Sequence, residues 1–423
     1  MGENECITNV QTDGCQALRK LAGESAEQRG AIVANGGIEA VVGAMRAHEC
    51  STRVQRDGCR ALCPLAGNSA EHMEVVAAKG GLGVVLRAMV AHEASVGVQE
   101  AGCGALRYLS NPGRNNAKKK ADIAAKGGID VVLRALRAHG SIAGVQEQGC
   151  LSLRNLVGQH AENNAEAGQK GGIPLVLSAM GVHGSRGVQE AGCFALCVLA
   201  RNAENRLAIA ATGGIEAVVR AMGAYVSSAR VQEAGCWALS SLAGYSNARN
   251  RLAIAEKGGI EALVTAMGAH ESDEEVQLQG CWALQHITQS AENLDVVAAK
   301  GGIDAVVMSM DSHRYSARVQ EQACHALRNL AESQMGAVTA RGGISAVVRA
   351  MTTHDLSAGV QERGCGALAQ IASSDPVLQA QVRIAGAIPL IEKALAAFPD
   401  KWQLQDDGKV LLGNLGTQGG WFS

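Results

Sequence analysis

The chain has 423 residues, 47% of them hydrophobic, so it is long enough to bury a large core. Its formal net charge of −2 and its evenly spread charges provide no basic field for nucleic acid or an anionic membrane. The longest apolar stretches are far shorter than the ~20 residues that span a bilayer. We therefore expect no nucleic-acid binding and no membrane insertion.

The first residues, Met1 to Cys6, contain neither the basic nor the apolar region of a secretory signal. We expect a soluble, monomeric chain in the cytoplasm, with the nucleus as a second compartment. Aromatic residues make up only 3% of the chain, so its apolar surface comes mainly from Ala, Val, Leu and Ile. That mixture suits short, closely packed helices.

Thirteen cysteines could suggest a disulfide framework, but their number is odd and the chain is long. Free cysteine is among the most buried residue types, so we expect reduced thiols inside a core. Nine cysteines recur at one place in a repeat of 41 to 47 residues: Cys15, Cys59, Cys103, Cys150, Cys193, Cys236, Cys281, Cys324 and Cys365.

A second landmark, Gly-Gly-Ile or a close relative, has the same period. It begins at Gly36, Gly80, Gly127, Gly171, Gly213, Gly258, Gly301 and Gly342, and a degenerate copy begins at Gly386. A period of this length predicts a solenoid. We expect one domain over 1–423, with a lone third helix over 1–22 and repeats over 24–67, 68–111, 115–158, 159–202, 203–244, 245–289, 290–331, 332–373 and 374–417.

Helix-capping signals divide each repeat into three helices. The first, such as Arg206 to Ala210, ends at the Gly pair, where a left-handed residue closes a helix. The second, such as Ile215 to Met222, often has an acidic residue in its first turn. The third, such as Val231 to Leu242, opens near a serine that can act as N-cap, for example Ser227 or Ser316.

With Val231 as position 1 of the third helix, positions 1, 6, 8, 9 and 12 are apolar in nearly every copy and predict the buried face. Position 5 is almost always Gly, which disfavours a helix by about 1 kcal/mol relative to Ala. We therefore expect a neighbouring helix to approach the backbone closely at position 5.

Three helices per unit, a short helix ending in Gly-Gly-Ile, and a third helix reading Val-Gln-Glu-x-Gly-Cys-x-Ala-Leu-x-x-Leu-Ala resemble the armadillo repeat over nearly the whole chain. The style is similar to armadillo proteins of protists and algae. The resemblance implies an all-α fold, an armadillo-type α-solenoid that winds its three-helix repeats into a right-handed superhelix. It also implies a protein-interaction scaffold or adaptor without enzymatic activity.

Positions 3, 7 and 11 of the third helix lie four residues apart and share one helix face, which we call the third-helix stripe. The resemblance implies that this stripe lines a concave groove. Positions 7 and 11 differ widely between copies, while position 3 is usually Glu. We expect partner contacts from Tyr108, Asn155, Phe194, Trp237, Trp282, His286, His325 and Asn329, beside Glu190, Glu233 and Glu321. The alternative is that the rings only cover neighbouring helices.

Glutamates beside tryptophans suit an extended protein segment or peptide that carries Lys or Arg. This arrangement resembles the nuclear-import adaptors of the armadillo family, which is an alternative function. No repeat here combines Trp at position 7 with Asn at position 11; Trp282 with His286, and His325 with Asn329, are the nearest matches. No basic amino-terminal arm precedes the repeats either.

Seven histidines recur at the end of the second helix: His48, His92, His139, His183, His270, His313 and His354. Copies one repeat apart are about 10 Å apart, too far to share a metal ion. We expect them to bond the last carbonyls of their own helix.

The pairs Cys59 with Cys63 and Cys193 with Cys197 lack further metal ligands at zinc spacing, so we expect buried thiols.

The sequence contains no clear motif for nucleotide binding or catalysis. The Gly pairs lack the spacing of a phosphate-binding loop, and Lys118 to Lys120, after Asn111 to Gly113, are interpreted as a solvated loop with an acidic docking patch as the alternative. No catalytic constellation or cofactor motif stands out, so we expect no enzyme, no cofactor and no metal. A regulatory domain or subunit of an enzyme is a further alternative. Asp406, Asp407 and Lys409 are expected to form a polar outer cap.

Overall fold

The computed structural model describes residues 8–67, 69–110, 117–244 and 247–416, and the regular structure in these ranges is entirely α-helical. The chain divides into two compact units, Met1–Ala217 and Val218–Ser423. The single domain expected from the sequence stays a prediction.

Helices α1 to α15 begin in the first unit, whose boundary falls inside α15. They are α1 (Thr8–Glu24), α2 (Ala26–Ala34), α3 (Gly37–Ala47), α4 (Thr52–Ala66), α5 (Ala70–Ala78), α6 (Gly81–Ala91), α7 (Val96–Leu109), α8 (Ala117–Ala125), α9 (Gly128–Ala138), α10 (Ala143–Val157), α11 (Ala161–Gln169), α12 (Gly172–Val182), α13 (Arg186–Leu199), α14 (Ala203–Ala211) and α15 (Gly214–Ala224).

The remaining helices lie in the second unit. They are α16 (Ala229–Ala243), α17 (Ala248–Glu256), α18 (Gly259–Ala269), α19 (Glu274–Ile287), α20 (Ala291–Ala299), α21 (Gly302–Ser312), α22 (Ala317–Ala340), α23 (Gly343–Thr353), α24 (Ala358–Ile371), α25 (Pro376–Ile384), α26 (Ala387–Ala397) and α27 (Trp402–Asn414).

Each repeat places a short first helix, a longer second helix and a long third helix in that order, as α17, α18 and α19 do with 9, 11 and 14 residues. Third helices pack on one another in chain order: α1, α4, α7, α10 and α13 in the first unit, and α16, α19, α22, α24 and α27 in the second. This stacking confirms the armadillo-type α-solenoid fold.

The Gly pair joins the first helix to the second as predicted. Gly258 has a φ of 79°, which favours glycine, and a Cβ on Gly259 would lie 2.8 Å from the carbonyl oxygen of Ile254. Ser316 caps α22 through Val319 N, but the N-cap of α16 is Ser228 rather than the predicted Ser227. Helix α22 joins a third helix to the next first helix across a kink at Gln334, in the repeat with the shortest period.

A buried glutamine at position 2 of the third helix holds the end of the second helix. In α19, Gln277 Nε2 donates to the carbonyl oxygens of Met267 at 2.7 Å and His270 at 2.9 Å. The same two-carbonyl clamp is made by Gln55, Gln99, Gln146, Gln189, Gln232, Gln320, Gln361 and Gln405. Glutamine therefore donates to the carbonyl oxygens at the end of the second helix, which we had expected the recurrent histidines to bond.

The recurrent histidines link neighbouring repeats instead. His313 Nε2 lies 2.8 Å from the carbonyl oxygen of Glu271, in the loop of the preceding repeat. Equivalent contacts join His92 to Glu49, His139 to Glu93, His183 to Gly140, His270 to Val226 and His354 to Arg314. The expectation that these rings bond their own helix was wrong, because each ring points along the stack rather than back along its helix.

Glycine at position 5 makes the predicted close contact. A Cβ on Gly280 would lie 2.6 Å from Cγ of Met267, on the second helix of the same repeat.

The nine recurrent cysteines are free and buried, and burial raises the pKa of the Cys281 thiol to about 12. Among the described residues, no group of three or more His, Cys, Asp and Glu side chains could hold a metal ion.

An ion-pair ladder joins successive second helices within each unit. The residue before a Gly pair contacts the first-turn acid of the preceding second helix, as Lys79 does with Glu39 at 2.8 Å. The other rungs are Lys170 with Asp130, Lys300 with Glu261, and Arg341 with Asp304. We call these contacts the second-helix ladder.

Lys118 to Lys120 form part of α8 rather than a solvated loop, while Asn111 to Gly113 lie outside the described residues. Lys120 is buried and its Nζ donates to the carbonyl oxygen of Gly158, which explains why the loop prediction was wrong.

In the described part of the chain, no single helix is long and apolar enough to cross a membrane, although α14 and α15 together meet that length and composition.

Candidate functional site

The first unit carries three of the predicted residues at positions 7 and 11 of the stripe, and one of them is inaccessible. Phe194 is fully buried, with the Arg154 guanidinium 4.0 Å from its ring centroid, so its prediction as a contact residue was wrong. Asn155 Nδ2 donates to the carbonyl oxygen of Arg107 at 2.9 Å, which fixes the amide between repeats. Tyr108 is half-buried, with the Arg107 guanidinium 5.7 Å from its ring centroid.

The second unit carries the exposed aromatic of the stripe. Trp282 on α19 is 37% exposed and stacks on His286, with ring centroids 6.2 Å apart and an interplanar angle of 30°. Trp237, His325 and Asn329 are half-buried. The helical spacing of positions 7 and 11 brings Trp282 and His286 together, as the sequence predicted.

Asn329 is held by the preceding repeat. Its Nδ2 donates to the carbonyl oxygen of Gln285 at 3.0 Å and to Oγ1 of Thr288 at 3.2 Å. The amide therefore uses its donors on the protein, while its oxygen is the group left for a partner. Asn155 follows the same pattern in the first unit.

Both stripe histidines are neutral near pH 7. Burial, with Arg251 as the second cause, lowers the pKa of His286 to about 4. Burial, with Arg363 and Arg328 as further causes, lowers the pKa of His325 to about 3. Because the charged groups acting on both rings are cationic, the surroundings of His286 and His325 disfavour additional positive charge.

The arginines around the histidines were not predicted from the sequence. Arg328 reaches across Gly366, which has no side chain, and pairs with Asp407 at 3.2 Å. Asp407 is therefore half-buried inside the stack rather than part of the polar outer cap expected from the sequence, whereas Asp406 and Lys409 are exposed as expected. Gly366 at position 7, where most other repeats carry a side chain, was the sequence signal for this crossing.

The glutamates at position 3 take part in repeat stacking. Glu233 pairs with Arg230 on its own helix at 2.8 Å. A Cβ on Gly359, in the first turn of α24, would overlap the carboxylate of Glu321 from the preceding repeat. In the first unit Glu100 lies against Gly144 and Glu147 against Gly187 in the same way, and Glu190 is half-buried. The carboxylates of Glu100, Glu147 and Glu321 lie at the N-terminus of the next third helix, where negative charge is favourable. These glutamates are therefore engaged within the stack and do not form an acidic strip open to a partner.

Position 3 changes character beside the exposed tryptophan. The residue there is Leu278, which is buried, instead of the usual glutamate. Leu278, Trp282 and His286 therefore form one uncharged face of α19. The second unit thus presents an aromatic and neutral surface next to Arg328 and Arg363.

Comparison with known proteins agrees with this architecture. A family model described as LRRK2 ARM repeat matches residues 210–386. The crystal structure of an engineered protein is 25% identical and has a TM-score of 0.80, covering 98% of this chain and 97% of its own. A solved structure from work on a conserved phosphorylation switch that controls the interaction between cadherin and beta-catenin is 16% identical, with a TM-score of 0.61, covering 95% of this chain and 87% of its own. No curated protein matches the sequence significantly. The chain has the armadillo-type repeat fold.

Proposed function

We propose that this chain is a protein-interaction scaffold that holds an extended partner segment along the third-helix stripe of its second unit. The observation that carries the proposal is Trp282, an exposed ring stacked on His286 in a chain with few aromatics. Exposed tryptophans dominate the binding energy of many protein interfaces. Armadillo solenoids are typically non-enzymatic, and one of the similar structures comes from work on the interaction between cadherin and beta-catenin.

The partner segment presents an apolar or aromatic side chain to Trp282, beside the uncharged Leu278 face of α19. Its neighbouring residues are uncharged, because Leu278, Trp282 and the neutral His286 offer no charge to pair with, and Arg328 and Arg363 already pair with Asp407 and Glu362. This chemistry differs from the basic peptide suggested by the glutamate pattern. It also leaves the import-adaptor alternative without a supporting observation.

Affinity capture from native lysate with the wild-type chain and a Trp282→Ala variant tests the proposal. Trp402→Ala is the matched control, because Trp402 is 75% exposed and lies outside the third-helix stripe. Partners lost from Trp282→Ala but kept by Trp402→Ala support the stripe. With such a partner purified, Trp282→Ala should weaken binding by roughly thirtyfold, equivalent to a hot spot of about 2 kcal/mol.

Equal partner lists for all three proteins would contradict the proposal, provided that circular dichroism shows each variant folded. Turnover of any substrate by the purified chain would favour the enzyme alternatives. We also propose that the scaffold acts as a monomer, which light scattering tests. The free cysteines suit a reducing compartment, so cell fractionation should find the chain in the cytoplasm or nucleus.

A further inference from the structure

The second-helix ladder has a gap in the first unit. Lys126 occupies the position that Lys79, Lys170 and Lys300 hold in other repeats. The residue on α6 that should supply its acid is Gly83, where the corresponding residues are Glu39, Asp130 and Glu261. Lys126 instead forms an ion pair with Asp122 on α8, the helix that it follows, at 2.8 Å, and both side chains are exposed. Exposed pairs of this kind contribute little to stability.

A second substitution uncovers the same junction. One repeat earlier, Arg46 Nη2 donates to the carbonyl oxygen of Lys79 at 2.9 Å and so covers the turn. The equivalent residue on α6 is Val90, which is 51% exposed and carries no donor. Two residues that close the junction between α3 and α6 are therefore replaced at the junction between α6 and α9.

A cleft of about 540 Å³ lies between α3, α6 and α9, which is within the size range of ligand sites. Its apolar lining includes Met45, Val84, Leu86, Val90 and Val131. The cations Arg87, Lys126 and Arg134 stand at its edge.

The two acids that line the cleft are already engaged. Glu49 lies 3.6 Å from Arg87, and Asp130 lies 2.7 Å from Lys170 in the ladder. Arg134 is exposed and has no ion-pair partner among the described residues. The unmatched charge at the cleft is therefore positive.

We propose that this cleft binds an organic carboxylate with an apolar body. The ligand's carboxylate takes the place next to Lys126 that a first-turn acid fills in other repeats, and Arg134 contributes a second cation. Its apolar part covers Val84, Val90 and Val131. The cleft is formed by second helices and does not depend on the third-helix stripe.

The test is direct binding of 2-naphthoate, with 2-naphthamide as the neutral probe of the same shape, followed by calorimetry. Charge-assisted contacts should make the acid bind roughly tenfold or more tightly than the amide. Gly83→Glu should abolish that preference, because the new carboxylate pairs with Lys126 as Glu39 does with Lys79. A Cβ on Gly83 meets only Arg87 Nη1, at 3.5 Å, so the Tm of Gly83→Glu should be unchanged or raised.

Lys126→Gln removes the cation without filling the cleft and should lose the preference for the acid as well. Lys300→Gln is the matched control, since it removes an equivalent cation whose acid, Glu261, does not line the cleft, and it should bind as the wild type does. If Gly83→Glu does not fold, Lys126→Gln decides the result.

Three results would overturn the proposal: no binding of either probe at millimolar concentration, equal binding of acid and amide, or full binding by Lys126→Gln. Self-association of the wild-type chain that Gly83→Glu abolishes would also overturn it, because the cleft would then be an interface between two copies.

Discussion

Replacing Gln277 with methionine removes the amide, and with it two N–H donors, from a fully buried side chain and leaves the side-chain length almost unchanged. Gln277 Nε2 bonds the carbonyl oxygens of Met267 and His270, at 2.7 and 2.9 Å. Each lost hydrogen bond is worth about 1 kcal/mol, and leaving the buried Met267 carbonyl without a donor adds about 1–3 kcal/mol. We expect Gln277→Met to lower the free energy of unfolding by about 3–5 kcal/mol, measured by urea denaturation.

The matched control is Gln370→Met, which makes the same chemical change on α24 at a half-buried stripe position. Because Gln and Met have similar helix propensities, this control should change the free energy of unfolding by no more than about 0.5 kcal/mol. Gln277→Glu should be less stable than Gln277→Met at pH 7, since an ionised carboxylate accepts but cannot donate. Equal stabilities for Gln277→Met and Gln370→Met would refute the clamp.

Three further predictions use other contacts. Gly280→Ala should lower the free energy of unfolding by about 1–3 kcal/mol through its clash with Met267, whereas Gly268→Ala, with no atom within 4 Å, should raise it by up to ~1 kcal/mol; chemical denaturation measures both. The pKa of His325 is about 3 when folded and 6.5 ordinarily, so unfolded chains take up more protons as the pH falls below 6.5. His325 should therefore contribute a stability loss of about 2 kcal/mol between pH 7 and pH 5, and His286, with a folded pKa of about 4, a similar loss. His325→Gln should remove its own share, about half of the loss from the two rings, in pH-dependent unfolding. Iodoacetamide should modify the exposed Cys50 in the folded chain and spare the buried cysteines, as peptide mass spectrometry would reveal.

The fold was predictable because the residues that begin and end each helix lie within the repeat itself. Gly258 needs its left-handed conformation, and Gly280 needs the space taken by Met267; both requirements recur every 41 to 47 residues and could be recognised by comparing copies. The fusion within α22 was not predictable, since the kink at Gln334 is marked by no glycine pair or proline.

The candidate site was predictable only where its geometry is local. Trp282 and His286 are four residues apart on one helix, so their stacking follows from helical periodicity. The burial of Phe194 depends on Arg154 from the preceding repeat, a contact that neither residue's own helix specifies. The Gln277 clamp was missed for a related reason: its acceptors lie seven and ten residues earlier, across a turn, and a helical glutamine is ordinarily interpreted as solvent-facing.

In a stack of similar units, a residue that departs from the repeat changes a junction whose ordinary form is visible in the neighbouring copies. Leu278 replaces a stacking glutamate beside Trp282, and Gly83 and Val90 remove an acid and an arginine beside Lys126. Gly83 gives up an acid that other repeats pair with the cation before the Gly pair, so Gly83→Glu should stabilise the chain. Leu278 is buried, so Leu278→Glu would place a carboxylate in an apolar site and should destabilise the chain. If the cleft is a binding site, Gly83→Glu should gain stability and lose the carboxylate ligand. Stability and binding would then change in opposite directions at Gly83, which a purely structural role for that residue does not predict.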